Sequence, residues 1–394
     1  MKRILIVETG AGFGGALTSL ETLVSHLDAS RWEIHVLTAY PQDCIVAGGA
    51  VRRVGVLSRN RRYGPKAGLE ARLRPFLGSR AGNAAFLADF LTTGRRFASA
   101  VADYAREHHV DLIQGNNGVL INDAAILAAR SAGLPCVIHS RGAEYPGRLG
   151  RLLARGVART LAVSAYVART VQALGVGPDR IALVPEGLDA ATFAAGANAG
   201  RFRVRHGLPA DLPLVGMVGC LTPWKGHDVF LAACAQALPA GRAGALVIGG
   251  DPDGSGRELG RLRAKARDFG IGDRVWFTGH ETDVASGLAA CQAAVHASIE
   301  PEPFGRVLLE AMALGLPVVA ARGGGPREVI DADVDGLLVT PGDASALATA
   351  IRLLIENPEM RDRMGAAGLA KVRTHYTMGR HVREVEAVWE TLLS

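Results

Sequence analysis

The sequence predicts an α/β protein made of two doubly wound domains, on three observations. Short Val/Ile/Leu-rich segments alternate with helical ones through the first half of the chain. The alternation lapses between Asp189 and Pro213, and it starts again at Leu214. Such alternation calls for parallel strands joined by helical crossovers, and 394 residues exceed what one ordinary core sustains.

In the first domain, expected over residues 1–190, the strands are Lys2–Thr9, Glu33–Ala39, Asp111–Asn116, Pro135–Gly142, Thr160–Ser164 and Arg180–Gly187. Ala16–Leu27, Ala84–His108 and Ala165–Leu174 read as helices between them. Residues Asp189 to Pro213, rich in Ala, Gly and Asn, read as the linker. The second domain, 191–375, has strands at Leu214–Gly219, Ala245–Gly250, Arg274–Gly279, Ala293–Ser298, Pro317–Ala321 and Leu337–Val339. Two helices follow Pro358, over Glu359–Thr374 and Gly379–Leu393. The last one, part of a segment 376–394, carries Val382, Val385, Val388, Trp389 and Leu392 on one face and is expected to pack back on the first domain. Ligands are expected at the carboxyl ends of the strands, in a cleft that both domains face.

A hydrophobic content of 48% suits a folded chain, and 49 Gly with 18 Pro supply the many tight turns of such a fold. No apolar run reaches the length of a bilayer span, and the opening Met-Lys-Arg-Ile-Leu-Ile-Val reads as a strand followed by Glu8, so a cytoplasmic location is expected. Five scattered cysteines, Cys44, Cys136, Cys220, Cys234 and Cys291, indicate neither a zinc site nor a disulfide framework and read as buried thiols. The net charge is +6, concentrated between Arg52 and Arg96, where Arg53, Arg59, Arg61, Arg62, Lys66, Arg72, Arg74, Arg80 and Arg95 also fall. That stretch is a solvated face, a nucleic-acid patch or a contact with anionic lipid. Its aromatics are few, which speaks against nucleic acid and leaves peripheral association with the inner face of a membrane as the alternative to plain solvation.

The most informative run is Glu300-Pro-Glu302-Pro-Phe304-Gly305-Arg306-Val307-Leu-Leu-Glu310. Gly305 allows a tight turn, and Arg306 to Leu314 reads as a buried helix ended by Gly315. Free amides at that helix start suit a phosphate. Glu310, about one and a half turns in, is placed to accept from a ribose diol, and Glu302, on the loop side, to face a polyol beyond the phosphates.

Other strand-to-helix turns carry supporting signals. Gly10-Ala-Gly12-Phe-Gly14-Gly15 satisfies the dinucleotide pattern, yet the second strand ends Val36-Leu-Thr-Ala-Tyr40 without an acid, which excludes a nicotinamide cofactor. Gly14 and Gly15 remain as points where a ligand can approach the backbone closely. Val218-Gly219-Cys220-Leu-Thr-Pro-Trp-Lys225-Gly226 projects a lysine suited to neutralising a diphosphate. Gly323-Gly-Gly325-Pro326 allows an anion-binding concavity, and Val137-Ile-His139-Ser-Arg141 sets His139 at a strand end. Asp331-Ala-Asp333-Val-Asp335-Gly336 lacks the final glutamate of a calcium loop, having Gly342 there, and Asp251-Pro-Asp253 reads as a turn, so no metal is expected.

These residues together resemble glycosyltransferase family 4, the retaining group with the two-domain GT-B fold of Rossmann-like halves. The resemblance spans nearly the whole chain and is densest from Gly216 to Thr374. Glu302 with Glu310 is its most specific mark, joined by Lys225-Gly226, Val184-Pro-Glu-Gly187-Leu-Asp189, and Gly323 to Pro326 with Glu328. It implies a nucleotide-sugar donor, a UDP-sugar from the family context, in the second domain and an acceptor, a glycan, glycolipid or lipid-linked sugar, in the first. Neither cofactor nor metal is implied. By position, Glu310 would hold the ribose, Glu302 the sugar hydroxyls, Lys225 and the amides of Phe304 to Val307 the diphosphate, and His139 the transferred sugar. The family often has arginine where this chain has Cys220, which implies that Lys225 carries more of the phosphate charge. A nucleotide-sugar epimerase on the same scaffold, or a module that binds without reacting, are the alternative classes.

Overall fold

The computed structural model of the protein describes residues 1–10, 14–39, 45, 47–56, 72, 75, 84, 94–238 and 242–394. The chain divides into two compact units, one of Met1–Val184 with Val382–Ser394, the other of Pro185–His381.

In the first unit β1 (Lys2–Glu8), β2 (Trp32–Thr38), β3 (Val51–Val56), β4 (Leu112–Asn116), β5 (Cys136–Ser140), β6 (Arg159–Ala162) and β7 (Ile181–Leu183) form one parallel sheet in the order β3-β2-β1-β4-β5-β6-β7. Helices α1 (Gly15–Ser25), α2 (Arg95–Glu107), α3 (Asp123–Ala132), α4 (Arg148–Ala154) and α5 (Ala165–Ala173) make crossovers. Every residue of β4 and β5 is buried, as befits parallel strands covered on both faces. Sequence reading missed β3. Its Arg52 and Arg53 are exposed, and charge on an edge strand blunts its exposed hydrogen-bonding groups while hiding the strand in an arginine-rich run. The expected strand Arg180–Gly187 is only Ile181–Leu183, because Pro185 has no N–H to extend the ladder.

In the second unit the linker reading of Asp189 to Pro213 fails, since α6 (Ala190–Ala195) and α7 (Ala199–Arg205) lie there. Side chains start both: Asp189 accepts from the Ala191 and Thr192 amides, and Asn198 from that of Arg201. Phe202 then buries itself with Leu214, Leu246 and Ile248. The sheet contains β8 (Leu214–Val218), β9 (Gly244–Ile248), β10 (Val275–Phe277), β11 (Ala293–His296), β12 (Val318–Ala321) and β13 (Gly336–Val339), all parallel, in the order β10-β9-β8-β11-β12-β13. Its helices are α8 (His227–Ala237), α9 (Arg257–Asp268), α10 (Val284–Ala289), α11 (Arg306–Ala313), α12 (Pro326–Val329), α13 (Ala344–Glu356) and α14 (Pro358–His375). α15 (Met378–Leu393) starts here, and from Val382 onward belongs to the first unit. There Trp389 is fully buried, donates to Gln114 Oε1 at 2.8 Å and meets Trp32 edge to face.

Cys136, Cys234 and Cys291 are buried as expected, and burial pushes the Cys136 and Cys291 thiols up to about 12. Cys220 is exposed, against expectation, because Leu221 rather than its neighbour turns into the core. Cys44 lies outside the described residues, as do Arg59, Arg61, Arg62, Lys66, Arg74 and Arg80 of the basic stretch. Among the described residues no helix is long and apolar enough to cross a membrane.

Candidate functional site

β8 and β11 are neighbours in the second sheet, but the chain leaves β8 toward β9 and leaves β11 toward β12. Loops that part in opposite directions open a gap at the carboxyl ends of the two strands, where doubly wound sheets bind ligands. Lys225 comes from the loop after β8 and Glu302 from the loop after β11. Gly226 brings the loops together: with φ 78°, it sits where an added Cβ would stand 2.0 Å from Ala297 O. Lys225 Nζ reaches Glu302 Oε2 at 2.7 Å and lies 4.1 Å over the Trp224 ring.

Glu302 is buried, and its carboxylate also accepts from His296 Nε2 at 3.1 Å and Ser298 Oγ at 3.3 Å. A carboxylate only accepts, so His296 carries its proton on Nε2 and Ser298 donates. Burial by itself would raise the Glu302 pKa. The His296 hydrogen bond and the Lys225 charge outweigh it and hold the group at about 2.

The triple-glycine turn after β12 supports that loop and is not an open anion cradle as expected. Gly323 N donates to Ala321 O at 2.9 Å and Gly325 N to Glu302 O at 2.8 Å. Gly324 has φ 70°, with Glu302 O only 2.1 Å from where its Cβ would be. Two of the three amides are thus spent on the protein.

Gly305, at φ 93°, caps α11 and delivers its amino end toward the same loop, as the sequence predicts. The Phe304 side chain is buried near Tyr376, which leaves its backbone as the part available to a ligand. Arg306 Nε donates to Glu310 Oε1 at 3.0 Å, one turn along, and Val307 is half-buried. Cys220 is exposed just beyond β8, preceded by Gly219 at φ 159°. The two acid decoys have structural work. Asp251 accepts from the amides of Glu258 and Leu259 at the start of α9, Asp253 pairs with Arg257 at 3.0 Å, and Lys371 binds both Asp331 and Asp335. Among the described residues no group of three or more His, Cys, Asp or Glu side chains could hold a metal.

The first unit has its own switch point, between β1 and β4. Gly14 caps α1 with extended backbone, and nothing lies within 4 Å of a Cβ built on Gly14 or Gly15, so the described fold does not itself require glycine at either. Residues 11–13 of the glycine-rich turn lie outside the described set. His139, one residue before the end of β5, is fully buried, and Arg141 Nη2 lies 3.3 Å from its Nδ1. A guanidinium only donates, so Nδ1 accepts and a neutral His139 carries its proton on Nε2. Sequence reasoning missed the buried polar group beside it. Glu8 accepts from Asn116, from Asn117 Nδ2 at 3.0 Å and from Gly10 N at 2.6 Å, while Arg141 Nε holds Asn116 Oδ1 at 2.9 Å. Burial raises the Glu8 pKa against the Asn116 bond and the charge of Arg141. The available signal was that apolar strands end in Glu8 and Asn116.

The model of the family Glycosyltransferase Family 4 matches residues 13–192, and that of Glycosyl transferases group 1 matches residues 199–371. D-inositol 3-phosphate glycosyltransferase 1 of Catenulispora acidiphila is 32% identical over 302 residues, 71% of this chain and 70% of that protein. The D-inositol 3-phosphate glycosyltransferase of Acidothermus cellulolyticus is 40% identical over 215 residues, 52% of this chain and 47% of its own, so there the chain spans about half of the relative's length. Anabaena Alr3699/HepE in complex with UDP-glucose matches over the whole of both chains with a TM-score of 0.79 at 23% identity. WaaG, a glycosyltransferase involved in lipopolysaccharide biosynthesis, matches 99% of each chain with a TM-score of 0.70 at 19% identity. Both likenesses are of fold, GT-B.

Proposed function

The chain belongs to glycosyltransferase family 4, and we propose that it moves a hexose from a UDP-sugar to an acceptor hydroxyl with retention of anomeric configuration. What carries this is the pairing of Lys225 and Glu302 at the switch point, beside the amino end of α11. The lysine and the helix amides suit a diphosphate, Glu310 a ribose and Glu302 the sugar hydroxyls. A fold neighbour holding UDP-glucose supports uridine as the base. His139 is assigned to the transferred sugar on the family resemblance.

The acceptor hydroxyl attacks the anomeric carbon as the bond to the diphosphate oxygen breaks, and its proton passes to that departing oxygen. Retention by double displacement would need a carboxylate nucleophile near the anomeric carbon. Glu302, its Oε2 held by Lys225, His296 and Ser298, is assigned to the sugar hydroxyls and Glu310 to the ribose, so neither is assigned as the nucleophile, which favours attack on the face that the diphosphate leaves. The barrier is then lowered by positioning and by Lys225 stabilising the leaving charge, with neither cofactor nor metal. For the acceptor, the relatives' names favour a polyol phosphate over a lipid-linked glycan.

A melting-point screen against UDP-, GDP- and ADP-sugars, followed by product analysis with inositol phosphate and lipid-linked acceptors, tests this. A rise with a UDP-sugar and an axial-to-axial product support it. An inverted product, acceptor-independent conversion of the donor sugar as in an epimerase, or no nucleotide-dependent rise refutes it.

A further inference from the structure

We infer that His296, with Ser298, is a positioning pair that fixes the orientation of the Glu302 carboxylate and so sets recognition of the sugar, as distinct from the nucleotide. This rests on the donor-site reading above. Among the described residues, the hydrogen bonds to that carboxylate land on one oxygen. Lys225 Nζ, His296 Nε2 and Ser298 Oγ stand 2.7, 3.1 and 3.3 Å from Oε2. Oε1 keeps its accepting capacity for a ligand hydroxyl, and the side chain retains 12% of its exposure.

The three donors are not equivalent. Lys225 is on a flexible stem, and a bound diphosphate competes with Glu302 for its charge. His296 ends β11 and Ser298 follows two residues later, both buried, so neither can follow the phosphate. Once the lysine turns to the diphosphate, these two keep Oε2 in place. Without them a buried carboxylate would lose two hydrogen bonds and its defined rotamer. The histidine acts through Glu302 and touches no substrate, and in either protonation state Nε2 can donate.

The test compares the wild-type chain, His296→Leu, His296→Gln and Ser298→Ala by calorimetric titration with UDP and UDP-glucose, or with the GDP or ADP pair if the melting screen selects that base. A glutamine amide nitrogen can reach the place of the imidazole Nε2, whereas leucine fills the volume without donating. For His296→Leu, affinity for the nucleoside diphosphate is expected within about twofold of wild type, while that for the nucleotide sugar falls about tenfold. His296→Gln should regain most of the loss, and Ser298→Ala should lose about threefold for the nucleotide sugar alone. Equal weakening of both ligands, an unchanged nucleotide-sugar affinity, or glutamine performing no better than leucine overturns the inference. Should His296→Leu fail to fold, Ser298→Ala decides by the same two affinities. A wild-type protein that binds no nucleotide at all brings down the donor-site reading itself, a failure separate from these.

Discussion

Lys225 and Glu302, 77 positions apart, form a 2.7 Å ion pair that joins the loops after β8 and β11 at the switch point of the second sheet. The two groups assigned to the opposite ends of a donor's phosphate-sugar bond are thus each other's counterions. On the proposed assignment, a bound diphosphate competes with Glu302 for the charge of Lys225.

Lys225→Ala should lower kcat/KM about a hundredfold, because the leaving diphosphate loses its point charge. The loss of stability should be about 1–3 kcal/mol, since His296 and Ser298 still satisfy the carboxylate. Steady-state kinetics and urea unfolding of the same preparation check both, and unchanged kinetics would refute the phosphate role.

Glu310→Gln should raise the Kd for UDP and for UDP-glucose alike, by about tenfold, because a ribose contact is common to both ligands. Its stability cost should stay near 0.5 kcal/mol, the usual order for an i,i+4 ion pair such as that with Arg306. A change confined to UDP-glucose would move Glu310 from the ribose to the sugar.

Gly14→Ala and Gly324→Ala should separate ligand approach from backbone need. A methyl at Gly14 meets nothing in the described protein, so melting should not change while turnover falls at least about tenfold. At Gly324 the positive φ and the 2.1 Å approach of Glu302 O should cost upwards of about 3 kcal/mol. Differential scanning calorimetry with an activity assay distinguishes the two, and a destabilised Gly14→Ala would assign that glycine to the fold.

Acid should destabilise the second unit through His227. Burial and the nearby Lys225 charge lower its pKa to about 4 from the ordinary 6.5. Between those values the unfolded chain binds a proton that the folded one refuses, so stability is full above pH 6.5 and falls as pH drops toward 4, by about 3 kcal/mol at the end of that range. The carboxylates of Glu302 and Asp228, held at about 2, run in a lower window: their contribution is present above about 4 and lost below. Denaturant unfolding at pH 7, 5.5 and 4 should show a shallower decline for His227→Gln than for wild type, and equal slopes would contradict the assignment.

Trp389→Ala should cost about 3–5 kcal/mol, combining a cavity against Trp32 with an unpaired Gln114 amide oxygen. A melting curve suffices to check it, and a loss below about 1 kcal/mol would show that the last helix contributes little to the first unit.

Much of the fold was legible because parallel strands buried on both faces are runs of Val, Ile and Leu that short-range reading detects. α11 was found to within a residue from Gly305 and Gly315, since turn chemistry at helix ends is local. β3 escaped because edge strands carry charge, and α6 and α7 escaped because their signal lies in single capping side chains within an Ala- and Gly-rich stretch. Glu302, Glu310 and Lys225 were singled out from their placement at loop and helix starts. His296 was not, because nothing in Val295-His296-Ala297 shows that its imidazole turns toward a residue six positions on.

The sequence by itself determined the strand-helix alternation, the helix start at Gly305 and the chemistry available at each strand end, because these depend on periodicity and on backbone preferences a few residues long. Only the tertiary structure decided which strand ends became neighbours, and therefore that Lys225, His296 and Ser298 share one carboxylate oxygen and that the glycines at 323–325 support a loop. Strand order is fixed by packing over a whole sheet, and the gap where its direction reverses exists only once that packing is complete.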